Sequence, residues 1–454
     1  MALVLLNQTL ESAKNYLLKL SPKEHCILID NASTDKLWDW VSKKAVTQIN
    51  LTVVRNRKRK NLKFNIKNAL RLVKSGETIL IKDGLNTVPH KFYNNFLFKS
   101  YIELGGFYKN SLVSITLHNY CYGKYLRKCL TSLVEQTYQN IEILFSDNAS
   151  NDDSWAIACE FAEKYPKKIT LTRNNINKGP KANLENCLVH VSGHYRIEMC
   201  SDDYLEPNCI ERAVKTFKKY PQIGFVMFHR NIVDDQGVIS KEKPFYDGSY
   251  LIDGVDQAAV YMMAAVNPSV SQIVYDTAKA AKSDSEDSVV SRWWGARIRD
   301  FKMCLDYPIA YISEPLLGHR DHPLSDSKST ENSMLEIFGP LLMCHSFVEM
   351  SNYHPKVVKK FDQSIEKLAT LSLRYASRAI ARKDFKLAKR YFHLSRSLSS
   401  DIEGLKLFKM LDGLFNEVDV DKKQLIITAI LALEGNLTRT KSYLPPKGSR
   451  KLMI

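Results

Sequence analysis

Acidic residues close two apolar runs in this chain, and further charged residues follow at intervals that a single binding crevice could gather. Asp147 ends Ile141-Glu142-Ile143-Leu144-Phe145-Ser146, and Ser201-Asp202-Asp203 follows the run from His194 to Cys200. Carboxylates at such points accept hydrogen bonds, hold cations or take protons; the plainer use is a solvated turn. Lys178, Arg320 and His322 supply positive or ligating groups, and Tyr120 an aromatic face. For Lys178 and Arg320 a surface cation is the alternative, and for Tyr120 a core aromatic. Two later acidic segments, Ser285-Glu286-Asp287 and Arg299-Asp300-Phe301, add carboxylates that could serve as a base.

The elements around these residues alternate. Leu112 to Leu117 and Ile141 to Phe145 are short β-rich apolar runs that suit buried parallel strands. Between them, Leu126, Leu130, Leu133 and Val134 share one helical face over residues 125–136. A helix carrying Trp155, Ala158, Phe161 and Ala162, a strand at 169–172, a helix at 182–191 and a strand at 194–200 follow. Alternation of this kind predicts an α/β domain with a mostly parallel sheet covered by helices. Ligands of such sheets collect at the carboxyl ends of strands, where Asp147 and Asp202 both fall, so the two can face one crevice.

The same order occurs twice. Ile29-Asp30-Asn31-Ala32-Ser33-Thr34-Asp35 is echoed by Phe145-Ser146-Asp147-Asn148-Ala149-Ser150-Asn151-Asp152, and Thr52-Val53-Val54-Arg55-Asn56 by Thr170-Leu171-Thr172-Arg173-Asn174. Lys82-Asp83-Gly84 stands where the second copy has Ser201-Asp202-Asp203. The offset drifts only from 117 (Asp30 to Asp147) to 119 (Asp83 to Asp202), which indicates a duplicated domain rather than a solenoid repeat. The first copy begins late, with Ala2 to Leu6 as the one stretch able to supply its first strand. It keeps Asp30 but a single acid at Asp83-Gly84. Residues 1–108 therefore read as a catalytically dead half-domain, 109–330 as the working domain and 331–454 as a helical region. In the last, residues 364–381 and 385–398 predict an antiparallel helical pair with Lys383-Asp384 at the turn; a helical cap and a tetratricopeptide-like unit are the two readings. The basic tail from Pro445 to Ile454 predicts a frayed end.

The chain has 454 residues, 44% of them hydrophobic, and a net charge of +16. Such a composition belongs to a globular protein rather than a disordered one, and the charge favours acidic partners. The densest basic run, Arg55 to Lys60 with Lys63 and Lys67, is either a solvated face or a contact for a membrane surface or phosphate. Nine cysteines without Cys-x-x-Cys spacing predict free thiols, a reducing compartment and hence a cytoplasmic location. No apolar run approaches the ~18 residues of a membrane span.

Residues 111–323 resemble the inverting glycosyltransferases of family 2, with the nucleotide-diphospho-sugar GT-A fold. Val113-Ser114-Ile115-Thr116-Leu117-His118-Asn119-Tyr120 is similar to the family's first strand and loop, with His118 and Cys121 where the family usually has Pro and Asn. Asp147-Asn148-Ala149-Ser150, Asn177-Lys178-Gly179 with Ala182-Asn183, Cys200-Ser201-Asp202-Asp203 and Glu314-Pro315-Leu316 through Arg320-Asp321-His322 resemble further family segments in order. The resemblance implies a nucleotide-diphospho-sugar donor, a glycan or lipid-linked acceptor, and a divalent metal, Mg²⁺ or Mn²⁺. It gives Asp202 as metal ligand, helped by Asp203 or His322, because Cys200 replaces the first acid of the usual Asp-x-Asp. A hard cation there offsets the charge that develops on the departing diphosphate. Tyr120 is then expected to stack on the base, Asp147 to accept a hydrogen bond from it, and Lys178, Ser201 and Arg320 to complete nucleotide binding.

Inversion also needs a carboxylate to take the acceptor's proton. Asp300 and Asp287 are the two candidates, with neither as the third outcome, since Asp287 also fits the first turn of a helix. Trp293 and Trp294 suit either a sugar-stacking wall or core packing. The implied function is a metal-dependent sugar transferase of bacterial surface polysaccharide (O-antigen or capsule) synthesis, cytoplasmic or peripheral on the inner membrane face. Two other readings remain: a non-catalytic scaffold of the same fold, and a charge-driven nucleic-acid binder, which lacks any accompanying nucleic-acid motif.

Overall fold

Strands in this chain form where apolar runs end in polar turns, and the computed structural model shows how they pair. It describes residues 2–6, 25–30, 51–55, 79–83, 109–188, 190–263, 268–283, 291–323, 325, 333–433 and 441–453. The chain divides into two units: residues 1–124, 139–197 and 276–282, and residues 125–138, 198–275 and 283–454.

In the first unit, β1 (Ala2–Leu6), β2 (His25–Asp30), β3 (Leu51–Arg55) and β4 (Ile79–Asp83) form a parallel sheet in the order β3-β2-β1-β4. Ala2–Leu6 is thus the strand the first copy needed. The same unit contains β5 (Lys109–Asn119), β6 (Ile141–Asp147), β7 (Ile169–Arg173) and most of β8 (Gly193–Cys200), in the order β7-β6-β5-β8. The two orders are the same, and so is the register at their carboxyl ends. Asp30 pairs with Arg55 in β2 and β3, and Asp147 pairs with Arg173 in β6 and β7. The duplication seen in sequence is therefore also a duplication of topology. The expected first helix of copy one, at residues 8–20, and most of the Arg55–Lys60 basic run lie outside the described residues.

Strands β5 and β6 are buried almost throughout, as strands covered on both faces must be. Asn183, in the helix Gly179–Leu188, donates to the carbonyls of Asn119 and Ser146 and accepts from the Ser146 hydroxyl. These bonds tie the carboxyl ends of β5 and β6 together through one side chain. That helix begins and ends three residues earlier than the pattern 182–191 suggested, because Gly179, at φ +82°, starts it.

In the second unit the helix Gly123–Val134, from Tyr125 on, buries Tyr125, Leu126, Cys129, Leu130, Leu133 and Val134, the face the periodicity predicts. The end of β8, from Glu198 on, belongs here. So do β9 (Tyr204–Leu205), β10 (Phe225–Val233), β11 (Ile239–Ser240), β12 (Tyr250–Ile252), all but the last residue of β13 (Ile273–Asp276), and β14 (Ile309–Arg320). Strand β14 runs parallel to β10 but antiparallel to β9 and β12, so this sheet is mixed. Gly254, at the start of helix Gly254–Tyr261, admits no side chain: a Cβ there would lie 2.2 Å from the carbonyl oxygens of Cys304 and Tyr307.

The tail is not frayed. Arg450–Lys451 forms β15, antiparallel to β12, and Leu452 donates its N–H to the Ser249 carbonyl at 2.9 Å. The edge of β12 offers unpaired backbone groups, and pairing them outweighs the local charge of the tail. The C-terminal region is helical as expected. Phe361–Ala381 and Phe385–Leu398 pack as a pair, joined by Lys383 at φ +62° and by Asp384, whose side chain accepts the Leu387 N–H. Ala376, Ile380, Tyr391 and Phe392 share one core with Phe408, Leu411 and Leu414 of the helix Lys406–Asn416 and with Ile430 of Val420–Leu433. The array therefore extends beyond one helical pair.

Candidate active site

Asp147 ends β6 with its side chain fully buried. Its Oδ1 accepts from the Ser150 hydroxyl at 2.6 Å and the Asn119 amide at 3.1 Å. Its Oδ2 accepts from the Ser150 N–H at 3.0 Å and pairs with Arg173 Nε at 3.1 Å. The loop closes on itself: Ser150 Oγ also accepts the Cys121 N–H, and Arg173 Nη2 donates to the Ser150 carbonyl. Cys121 and Ala149 take left-handed backbone conformations, at φ +57° and +62°, to make these turns. A buried carboxylate with this many donors is locked in one orientation, and Arg173 lies over the Trp155 ring.

Tyr120, the residue after β5, is 46% exposed, so its ring is presented rather than buried in the core. The Lys178 N–H donates to Asn148 Oδ1 at 2.9 Å, while Asn148 Nδ2 donates to Asn177 Oδ1. Asn174 also donates to Asn148 Oδ1. The Asn-Lys-Gly segment is thereby tied to the turn after Asp147.

The second unit carries the other acids. Asp202 and Asp203 follow β8 in a buried turn with Ser201. Asp202 Oδ2 is 3.0 Å from His322 Nε2. Asp203 Oδ1 accepts the Arg320 N–H at 2.9 Å and lies 3.1 Å from His319 Nδ1, and Ser269 donates to Oδ2 at 3.3 Å. Burial pushes Asp203 up, but the His319 charge and the hydrogen bonds from His319, Arg320 and Ser271 outweigh it and hold Asp203 below the ordinary carboxylate value. Arg320 donates through Nε to the Asp202 carbonyl and through Nη1 to the Asp234 carbonyl. Its guanidinium lies 4.7 Å from the centre of the Tyr125 ring, and the same ring is 4.7 Å from the His322 ring. Tyr125 itself donates its hydroxyl to Asp235.

The structure thus gathers Asp202, Asp203, Arg320 and His322 in one cluster, and sets Asp147 and Lys178 in another network within the first unit. Cys200, Asp202 and Asp203 each offer a ligand atom, and the three atoms lie within 4.8 Å of one another. This donor set and spacing fit a divalent cation.

Asp300 lies elsewhere in the second unit. It is 1% exposed, on the helix Ser291–Asp306, and accepts the Tyr275 hydroxyl at 2.7 Å. Arg299, next to it, makes two bonds to Glu198 and one to Tyr275. Burial raises Asp300 above the ordinary carboxylate value, against the pull of Arg297 and Arg299. Asp287 lies outside the described residues, and so do the side chains of Trp293 and Trp294.

Several residues of these networks were not singled out from sequence: Asn119, Ser150, Arg173, His319 and Tyr125. Arg173 had a signal, since an arginine, Arg55, also follows Asp30 in the first copy, 25 residues on against 26 from Asp147 to Arg173. His319 and Tyr125 had none, because their partners are remote in the chain.

Residues 112–267 match the family model Glycosyl transferase family 2. This segment is a family 2 glycosyltransferase domain. The transferase domain is similar to the putative glycosyltransferase EpsE of Bacillus subtilis strain 168, at 28% identity over 154 residues, covering 31% of this chain and 55% of that one. It is also similar to a chondroitin synthase of Escherichia coli, at 28% identity over 163 residues, covering 36% of this chain and 23% of the synthase. The match thus spans about half or less of these relatives' own length. Among solved structures, Staphylococcus aureus TarS 1–349 in complex with UDP superposes with a TM-score of 0.42 at 13% identity, covering 68% of this chain and 94% of TarS 1–349. The strand orders and the family match identify the GT-A fold of the transferase domain, preceded by a second sheet of the same order and followed by a helical region. Among the described residues no helix is long and apolar enough to cross a membrane.

Proposed function

We propose that this chain is a metal-dependent, inverting glycosyltransferase that moves a sugar from a nucleotide-diphosphate donor to a glycan or lipid-linked acceptor in surface-polysaccharide synthesis. The observation that carries this reading is the Asp202–Asp203 turn, held by His322, His319 and Arg320 at the end of β8 in a family 2 domain.

In this reading the Asp147 network receives the base. Arg173, Ser150 and Asn119 fix the carboxylate so that it meets the base without reorganising, and Tyr120 offers its ring for stacking. Lys178 and Ser201 complete the nucleotide contacts. Arg320 is held by two carbonyls and brings positive charge to the diphosphate. Asp202, Asp203 and His322 would hold a divalent ion, Mg²⁺ or Mn²⁺ in the simplest case, which when bound supplies charge stabilisation to the leaving diphosphate. The acceptor hydroxyl loses its proton to a carboxylate as its oxygen attacks the anomeric carbon opposite the departing diphosphate, which inverts that carbon. Asp300 and Asp287 remain the two carboxylates proposed for that proton. The net charge of +16 suits work at an anionic membrane surface on the cytoplasmic side.

Cys200, in place of the family's first acid, favours one other reading: a sugar-nucleotide-binding scaffold that assists another transferase. Calorimetric titration with a panel of nucleotide diphosphates, with and without Mn²⁺, on wild type and Asp202→Ala tests both. Metal-dependent binding of one nucleotide, lost in the variant, is the expected result. Transfer assays with Asp300→Asn and Asp287→Asn then separate enzyme from scaffold. A folded protein that binds no nucleotide would overturn both readings.

A further inference from the structure

Cys200 is more than a lost acid. It ends β8, two residues before Asp202, and its ligand atom lies within 4.8 Å of those of Asp202 and Asp203. The backbone holds it there: the Cys200 N–H donates to Ser271 Oγ at 3.0 Å. Unlike the neighbouring Cys129, which is fully enclosed, Cys200 is only half-buried. The Cys129 thiol is directed at the Cys200 carbonyl, 3.8 Å away, so of the two sulfurs only that of Cys200 joins the acids. Asp203 is oriented from behind by His319, Arg320 and Ser269, and Asp202 lies 3.0 Å from His322. Hydrogen bonds from outside the ligand set characteristically fix metal-binding groups in this way.

A sulfur beside two carboxylates changes which ion such a site prefers. Mg²⁺ takes oxygen ligands in octahedral geometry and binds thiolate poorly, whereas Co²⁺, Zn²⁺ and Cd²⁺ accept sulfur readily. We infer that Cys200 is itself a metal ligand and that the mixed sulfur–carboxylate set selects a thiophilic divalent ion over Mg²⁺. The inference rests on the proposal above that the Asp202 turn binds a metal. On binding, the Cys200 S–H bond breaks, a sulfur–metal bond forms and the proton leaves to solvent; no electron is transferred.

Co²⁺ titration of the full chain, followed in the near ultraviolet, reports the sulfur directly. Wild type is expected to show a thiolate-to-cobalt charge-transfer band that Cys200→Ser abolishes and Asp202→Asn weakens. In competition, Cd²⁺ is expected to displace Mg²⁺ from wild type, and Cys200→Asp to shift that preference toward Mg²⁺ by roughly tenfold or more. Circular dichroism of each variant establishes that it is folded. If Mn²⁺ or Co²⁺ binds in an Asp202-dependent way without a thiolate band, and Cys200→Ser leaves the Cd²⁺ preference unchanged, Cys200 is no ligand while the metal-dependent reading stands. If the folded protein binds no divalent ion at all, the proposed metal dependence fails and this inference with it.

Discussion

His322 Nε2 stands 3.0 Å from Asp202 Oδ2 although 120 positions separate the two residues in the chain. The pair joins the turn after β8 to the segment after β14, and the Tyr125 ring packs against the imidazole. Removal of the imidazole frees the carboxylate to turn, whether His322 acts as a ligand or holds one in place. His322→Ala is therefore expected to weaken Mn²⁺-dependent nucleotide binding by roughly 10–100-fold. Calorimetry on the folded variant measures this, and unchanged affinity would remove His322 from the site.

Asp147 is expected to matter for stability as well as for binding. Asp147→Ala leaves Arg173, Ser150 and Asn119 facing a buried gap, and breaking a buried ion pair from one side costs roughly 3–5 kcal/mol. Because Arg173 is partly exposed, the lower end of that range is expected. Urea unfolding gives the figure. Asp147→Asn keeps the acceptor oxygen for Ser150 and is expected to lose less stability, while still losing nucleotide affinity.

Asp300 links structure to pH. Its proton is held more tightly in the fold than in the unfolded chain, where the ordinary value is 3.8. The stability contributed by this group is therefore full below pH 3.8 and is lost as pH rises through the raised value of the folded state. Asp300→Asn cannot ionise and keeps an acceptor for the Tyr275 hydroxyl. The difference in melting temperature, variant minus wild type, is expected to grow more positive as pH increases across that window and then to level off. A difference independent of pH would show that the fold leaves the Asp300 carboxyl at its unfolded value. The same variant tests the base: a fall in transfer rate without loss of donor binding assigns the proton to Asp300, and full activity moves the assignment to Asp287.

Gly254→Ala places a methyl group 2.2 Å from two backbone carbonyl oxygens, neither of which can swing away as a side chain can. Overpacking of this kind costs typically 1–3 kcal/mol, and the backbone contact puts the expected loss near about 3 kcal/mol. Thermal unfolding measures it; a loss below about 1 kcal/mol would mean that the start of helix Gly254–Tyr261 shifts freely.

Much of this was legible in the chain. The apolar runs ending in Asp147 and Asp202 are local patterns, so both strands and both acids could be read from neighbours within a few residues. The duplication was legible for the same reason, and even the Asp147–Arg173 pair was foreshadowed by Asp30 and Arg55, which occupy the same register. Pattern also predicted the helical pair at 364–381 and 385–398, whereas the fate of the tail depended on an open edge at β12 that no local property of residues 445–454 reveals.

Sequence by itself determined the residue types: which strands end in acids, that Cys200 replaces an acid, and that His319, Arg320 and His322 close the domain. Only the tertiary structure decided their partners. His319 and Arg320 meet Asp203, His322 meets Asp202, and Asp300 turns inward to Tyr275 rather than standing at a strand end. Hydrophobic patterning is a property of residues a few positions apart, while a hydrogen bond between strand ends depends on how the whole sheet orders its strands, and that order is set by packing across more than a hundred residues.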